Sequence, residues 1–286
     1  MRMREKTSLS LGYSPCPNDT FIFYAMVHGK IETGGLSFRE ELEDVEALNR
    51  KAAGGLLDVS KISFHAYCRL RDDYVLLRSG AALGQGCGPL LVGRRPLEPA
   101  DLPDKLGKMK IAIPGGLTTA SLLLQLYEPS LRGNTVPMLF SDIMPAVKEG
   151  RVDAGLVIHE GRFTFRNYGL HSLLDLGQWW EGVTGRPIPL GGIVARRSLG
   201  EETIKSVQDA IRQSVLYSLK NPAEARAYIR GHAQEMEDKV IQSHIGLYVN
   251  DHTVWLGGDG ERAIEELFSR AAAAGLSKPS SKPIFI

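Results

Sequence analysis

Cysteine is scarce in this chain. Cys16, Cys68 and Cys87 are the three among 286 residues, too few and too scattered for a disulfide framework or a zinc cage, and no Cys-x-x-Cys or His-Glu-x-x-His occurs. Reduced thiols suit a reducing compartment. No run of apolar residues approaches a membrane span or a signal peptide, so a cytoplasmic protein is expected. An excess of one charge is missing too: 34 basic and 33 acidic residues leave a formal net charge of +1, which gives no electrostatic footprint for nucleic acid or an anionic membrane. The expected partner is a small molecule. The segment Gly84-Gln85-Gly86-Cys87-Gly88 lacks the spacing and strand-to-helix setting of a dinucleotide site, so no nucleotide is assigned, and no Gly-x-Ser-x-Gly elbow marks a hydrolase.

The chain does contain a repeated βα arrangement. An apolar strand through Leu9, Leu11 and Tyr13 ends in Ser14-Pro15-Cys16-Pro17-Asn18-Asp19-Thr20, and a helix follows from Phe21 to Val27. A helix start of this kind exposes N–H groups suited to a carboxylate or other anion, or is simply a capped helix. Later, Met109 to Ile113 reads as a buried strand, Pro114-Gly115-Gly116 as a tight turn, and Thr118-Thr119 as the opening of a helix through Tyr127. Each copy is followed by a glycine that ends a helix, an aspartate that opens a strand, and an apolar run: Gly55 to Ser63 in the first, Gly150 to Ile158 in the second. Two similar α/β units follow from this, and 43% hydrophobic residues can supply a core to each.

The segments Gly88 to Arg95 and Leu190 to Arg197 are alike, each a short apolar strand ending in paired arginines. Taken as crossover strands, they divide the chain into a discontinuous larger lobe, 1–95 with 188–286, and an inserted smaller lobe, 96–187. Beyond them, Glu201 to Leu219 has helical periodicity, with Ile204, Val207, Ile211, Val215 and Leu219 on one face; helices are expected again through His232, over Glu237 to Val249 and over Glu261 to Ala274. The tail from Pro279 to Ile286 reads as a strapped-down extension, and Trp179, Trp180 and Trp255 as core or interdomain filling.

Of seven histidines, His159 stands apart. It sits at the carboxyl end of an apolar strand, where open α/β sheets bind ligands; as a continuing strand, the segment would turn Glu160 to the opposite face. His65 opens a helix, and His28, His171, His232, His244 and His252 lie in polar or helical contexts that suit solvated or core positions. Cys16 reads either as a thiolate nucleophile at a helix start or as a small residue in a tight turn. Lys61 can meet a substrate carboxylate or reach solvent; Ser63, Thr118 and Thr119 can bind oxygens or cap helices. The residues alone leave two classes open, a solute-binding protein that closes two lobes on a ligand and an enzyme that uses the same closure. The missing export signal favours the enzyme.

The run Gly12-Tyr13-Ser14-Pro15-Cys16-Pro17-Asn18-Asp19-Thr20-Phe21-Ile22-Phe23-Tyr24-Ala25 resembles the signature of the 1,4-dihydroxy-6-naphthoate synthase family of the futalosine route to menaquinone. The likeness extends through Leu42 to Glu46, Lys61-Ile62-Ser63, Leu77 to Gly80, Thr118-Thr119-Ala120 and Gly155 to Glu160, and reaches Pro283-Ile284-Phe285-Ile286. The resemblance implies an α/β, two-lobed type 2 periplasmic-binding-protein-like fold, its central cleft between lobes joined by two crossover strands. It implies a lyase that converts cyclic dehypoxanthine futalosine to 1,4-dihydroxy-6-naphthoate with release of dihydroxyacetone, using neither metal nor organic cofactor. The family's catalytic base maps to His159, and its substrate contacts map to Lys61, Ile62, Ser63, Thr118 and Thr119. The related enzyme that dehydrates chorismate in the same pathway is expected to lack the Ser-Pro-Cys-Pro-Asn-Asp run. Oligomeric state is not legible in the sequence.

Overall fold

The computed structural model describes residues 7–98, 101–233 and 237–286. The first stretch alternates strands and helices: β1 (Thr7–Tyr13), α1 (Pro17–Val27), β2 (Leu36–Leu42), α2 (Val45–Ala53), β3 (Val59–Ser63) and α3 (Phe64–Leu70), followed by β4 (Tyr74–Leu76) and β5 (Ala82–Gly84). A second stretch holds β6 (Leu90–Gly93), α4 (Leu102–Leu106), β7 (Ile111–Ile113), α5 (Thr119–Tyr127), β8 (Thr135–Pro137), α6 (Phe140–Lys148), β9 (Ala154–Val157), α7 (Gly161–Thr164), β10 (His171–Asp175) and α8 (Leu176–Thr184). The chain returns through β11 (Ile188–Arg196) to α9 (Glu201–Lys220), α10 (Pro222–His232), α11 (Asp238–Tyr248), α12 (Asp251–Val254) and α13 (Gly257–Ala273).

Two mixed sheets result. The first runs β2-β1-β3-β11-β4, with β5 also on β11; the second runs β10-β6-β9-β7-β8. In the first, β2, β1 and β3 are parallel and β11 is antiparallel to β3; in the second, β8, β7 and β9 are parallel and β6 is antiparallel to β9. The repeat read from the sequence is thus a repeat of topology. Its aspartates do equivalent jobs: Asp58 accepts from the N–H and hydroxyl of Ser10 on β1 (2.9 Å each), and Asp153 accepts from the N–H of Lys110, next to β7 (2.9 Å). Gly55 and Gly150 both hold a left-handed backbone, the conformation a helix-ending glycine supplies at least cost.

The two arginine-ended strands sit one in each sheet. Each is the first strand after a crossing, so the chain changes sheets at 85–89 and at 185–187. At the first crossing backbone lies on backbone: a Cβ on Gly88 would meet Gly177 N at 2.3 Å. Arg162 fastens the same place, donating to Gly88 O (2.6 Å) and to Asp175 (2.7 Å).

Strand alternation explains the layers. Leu9, Leu11 and Tyr13 pack with Ile22, Phe23 and Met26 of α1 and with Ile204, Val207, Ile211 and Val215 of α9. The opposite face of β1 presents Gly12, where a Cβ would collide with Leu57 and Leu48. Leu219 departs from the expected buried face: the buried face of α9 ends on Ser218 instead, and the Leu219 side chain is exposed beside a groove it shares with Phe21. α13 starts four residues earlier than its apolar pattern, at Gly257. Trp180 is fully buried and Trp255 is not; the latter lies on the surface with Arg212 over its ring at 5.4 Å. The tail is strapped as expected, Ile284 O accepting from Tyr67 Oη (2.6 Å) and from Leu76 N (3.0 Å). Among the described residues no helix is long and apolar enough to cross a membrane.

Replacing Asp58 by Ala strips the Ser10 N–H and hydroxyl of their acceptor at the start of the central strand. A stability loss of about 1–3 kcal/mol is expected, read as a lower urea midpoint with an unchanged slope.

Candidate active site

The carboxyl ends of β1, β3 and β9 and the turn after β7 face one cavity between the two sheets. It is lined by Ser14, Asn18 and Asp19 from the first of these, Lys61, Ile62 and Ser63 from the second, Ile158 and His159 from the third, and Thr118, Thr119 and Ala120 from the last, with Leu190 and Gly191 of β11 and Tyr248 of α11. His159, Lys61, Ile62, Ser63, Thr118 and Thr119 therefore share one enclosure, although they lie up to about a hundred residues apart in sequence.

A buried ion pair organises the first lobe's wall. Lys61 Nζ lies 3.3 Å from Asp19 Oδ1, with both side chains nearly inaccessible, and donates to Gly80 O at 2.6 Å. Gly80 has φ +84°, and a Cβ there would sit 2.1 Å from Ile193 Cδ1, so no other residue fits this turn. Asp19 also accepts from Ser14 Oγ (2.8 Å) and Asn18 Nδ2 (2.9 Å). The anion at the amino end of α1 is thus the protein's own carboxylate, and Pro17 removes one of the donors. The expected anion site is filled from within, and Lys61 neither reaches solvent nor carries an unpaired charge.

Carboxamide and carboxylate link the lobes. Ser63 N donates to Asn49 Oδ1 (2.9 Å), and Asn49 Nδ2 reaches Ser63 Oγ and Glu46 Oε2 (3.2 Å each). Glu46, in α2, accepts from Leu117 N across the cleft (3.2 Å). Burial pushes its carboxyl above the usual range. Gly115, with φ +144°, makes the approach possible: a Cβ would lie 2.4 Å from Glu46 Cδ. Thr119 Oγ1 accepts from Phe64 N (2.9 Å) and donates to Leu190 O (2.5 Å); Thr118 Oγ1 donates to Gly115 O (2.8 Å) and caps α5 by accepting from Ser121 N (3.2 Å). Both hydroxyls are engaged within the protein. The first-turn N–H groups of Thr119 and Ala120 have no acceptor inside the helix and lie at the cavity wall.

His159 follows β9 directly and has φ +53°, alone among the described non-glycine residues in a left-handed conformation. Its half-buried ring meets Phe140 edge-on at 5.5 Å and lies parallel to His244 at 6.2 Å, with 9° between planes. Burial pushes its pKa down; Glu160, Asp19 and Asp44 oppose that and Lys61 adds to it. β9 ends before His159, and Glu160 enters the turn into α7 instead of continuing a strand. His244 holds a core position, as expected of it, and stands next to His159. Fully buried in α11, it places Nε2 2.9 Å from Asn18 Oδ1. A usable signal was its spacing of four from Tyr248, which puts both on one helix face. Cys16 is buried beside carboxylates, and burial first, with Glu160 next, pushes its thiol well up. That favours the thiol over the thiolate that a nucleophile would use. His65, buried in α3 and pushed down to about 4 by desolvation, does not line the cavity. Among the described residues no group of three or more His, Cys, Asp or Glu is placed to hold a metal ion.

Comparison with known proteins adds five findings. Residues 9–273 match a family model described as menaquinone biosynthesis. A 1,4-dihydroxy-6-naphtoate synthase of Thermus thermophilus is 50% identical over 279 residues, 98% of this chain and 99% of that one. One of Streptomyces coelicolor is 48% identical over 273 residues, 94% of each. Among solved structures, a protein of Archaeoglobus fulgidus superposes with a TM-score of 0.86 at 37% identity, covering 94% of this chain and 98% of its own. The alkanesulfonate-binding protein of Xanthomonas axonopodis pv. citri gives 0.69 at 14%, covering 97% and 96%. The second likeness is one of fold, and it identifies the architecture as that of periplasmic binding proteins.

Lys61→Met leaves the Asp19 carboxylate buried without its cation. A loss of about 3–5 kcal/mol in denaturant unfolding is expected, and Lys61→Met with Asp19→Asn recovers most of it; equal losses in single and double variants would show that the pair is not the source.

Proposed function

The chain belongs to the menaquinone biosynthesis family and is an enzyme of that route, a 1,4-dihydroxy-6-naphthoate synthase by its curated relatives, and from that premise we propose that His159 is the base of the reaction in the cleft between the sheets. The substrate is cyclic dehypoxanthine futalosine, as the signature run implies, and the second product is dihydroxyacetone. Neutral His159 removes a proton, electrons shift to open the spiro ring, the carbohydrate fragment leaves, and aromatisation draws the reaction forward. One observation carries the assignment: His159 is held at the cavity wall in a backbone conformation that costs free energy, with burial keeping its ring neutral.

Lys61, Ile62, Ser63, Thr118 and Thr119 form the substrate's walls in this reading. Lys61 acts through Asp19, fixing the first turn of α1. The N–H groups of Thr119 and Ala120 offer donors to the substrate's carboxylate or sugar hydroxyls. A positioned base contributes roughly 10²- to 10⁴-fold, on the order of 3 to 5 kcal/mol of barrier; orientation in a closed cleft supplies the larger part. Lobes 1–95 with 188–286 and 96–187 close on the substrate in this reading, and the sheet changes at 85–89 and 185–187 support a two-lobed division of this kind. A cytoplasmic location, a small-molecule substrate, and no metal, organic cofactor, nucleic acid or membrane partner complete the reading. A binding protein without turnover is the competing class.

The test is incubation with cyclic dehypoxanthine futalosine, following 1,4-dihydroxy-6-naphthoate by mass beside His159→Asn. The wild type is expected to form product and the variant to lose roughly 10²- to 10⁴-fold in kcat. Undiminished turnover removes the base assignment; bound ligand with no product from either protein shifts the case to a binding protein. Because the pKa of His159 is depressed, its neutral form persists as pH falls, so kcat/KM is expected to stay level through the ordinary histidine range near pH 6.5 and to decline only below it.

A further inference from the structure

We propose that His244 is a positioning residue for His159: held as one neutral tautomer by a hydrogen-bond chain that starts at the Lys61–Asp19 pair, it forms the flat aromatic wall over which the imidazolium of His159 develops. The inference rests on His159 acting as the base in the reaction proposed above.

The chain fixes every proton along it. Asp19 faces the Lys61 ammonium at 3.3 Å and the Asn18 side chain at 2.9 Å. A carboxylate so placed accepts, so the amide nitrogen of Asn18 must face it and Oδ1 must face the other way. That oxygen lies 2.9 Å from His244 Nε2, and an acceptor opposite a ring nitrogen requires the proton on Nε2. His244 Nδ1 has no partner and no exposed surface. A proton there would make a buried cation with a bare N–H, which the fold does not compensate. Burial, with His159 adding to it, accordingly holds the His244 pKa well below the ordinary histidine value.

The neutral ring then has a use. The ring of His159 lies parallel to it with centroids 6.2 Å apart, Phe140 meets the same ring edge-on at 5.5 Å, and the backbone of His159 is left-handed. The electrostatic surroundings come from every element nearby: Asp19 on α1, Asp44 before α2 and Glu160 in the adjoining turn favour a charged His159, and Lys61 on β3 opposes it. Cys16 and Tyr248 have their protonated, uncharged forms favoured by burial. A protonated His244 would add like charge next to the base at the moment it takes its proton. A neutral ring 6.2 Å away adds no such repulsion.

The test uses the full chain with ring nitrogens labelled, followed by NMR from about pH 5 to about pH 9, with kcat and KM measured beside it for His244→Phe and His244→Gln. His244 is expected to stay neutral with its proton on Nε2 throughout. His244→Phe keeps a flat uncharged face and is expected to hold kcat within about threefold, whereas His244→Gln keeps a donor for Asn18 without a ring and is expected to lose roughly tenfold in kcat with KM within about twofold. In His244→Gln the titration of His159 moves down by about one pH unit, and in His244→Phe it stays. His244→Met replaces the glutamine variant should that one not fold. A His244 that titrates in this range, a proton on Nδ1, or a phenylalanine variant as slow as the glutamine one would overturn the proposal. If the wild type forms no product, the functional reading falls by itself, and the His159 titrations in the three proteins alone decide the positioning role.

Discussion

The buried pair of Lys61 and Asp19 is the interaction on which the site depends. Two opposite charges removed from water are tolerated when their remaining hydrogen-bonding positions are filled. Here Gly80 O takes one ammonium proton, and Ser14 and Asn18 donate to the carboxylate. Satisfying the pair thus dictates the local sequence: a serine at the end of β1, an asparagine and aspartate in the first turn of α1, a glycine able to turn with φ +84°, and a lysine in the middle of β3. Ser14, Asn18 and Asp19 of the Ser-Pro-Cys-Pro-Asn-Asp run are the residues this ion pair draws from it. Its effect extends further, since Asn18, once oriented by Asp19, orients His244.

The duplicated topology explains why these groups converge. Each sheet delivers the carboxyl ends of its parallel strands to one rim, and because each lobe's antiparallel strand begins just after a crossing, the two rims face each other. The hydrogen bonds that span the cleft include Glu46 to Leu117 N, and Thr119 to Phe64 N and Leu190 O. One apolar cluster also joins the two sides, with Ile62, Phe64 and Val194 in the same core as Ile113, Leu122 and Leu156, so opening the cleft exposes apolar surface as well as groups that water can satisfy.

Much of this was legible in the sequence because it is local. The helix starts at Asn18-Asp19 and Thr118-Thr119, the aspartates at 58 and 153, and His159 after an apolar strand are patterns a few residues long, set by capping and alternation. What stayed hidden depends on pairing across the chain. His244 lies 226 residues from Asn18, and nothing in the apolar stripe of α11 distinguishes a helix that packs from one that also walls a site. The thiol of Cys16 reads as activated by position on a helix and as suppressed once its burial, and then its neighbouring carboxylates, are placed. Leu219 fits the helical period but lies off the face that α9 buries. In each case periodicity gives the face, and tertiary context decides what the face meets.

The charge pattern of the finished cavity narrows how it can act on an anionic substrate. Among the described residues Lys61 is the one lysine or arginine along its wall, and Asp19 pairs with it. His159 and His244 are favoured as neutral, and the hydroxyls of Thr118 and Thr119 are turned to backbone partners. What remains are fixed dipoles, chiefly the first-turn N–H groups of α5, together with one base able to become a cation. Dipoles held in place by the fold stabilise charge without reorganising as it moves, while a free lysine in the same position would bind the ground-state carboxylate as strongly as any later species and lower the barrier little. With His159 as the base we propose, a cavity whose net charge is near zero until that residue takes a proton would have its strongest electrostatic attraction to the substrate arise during the reaction, not before it.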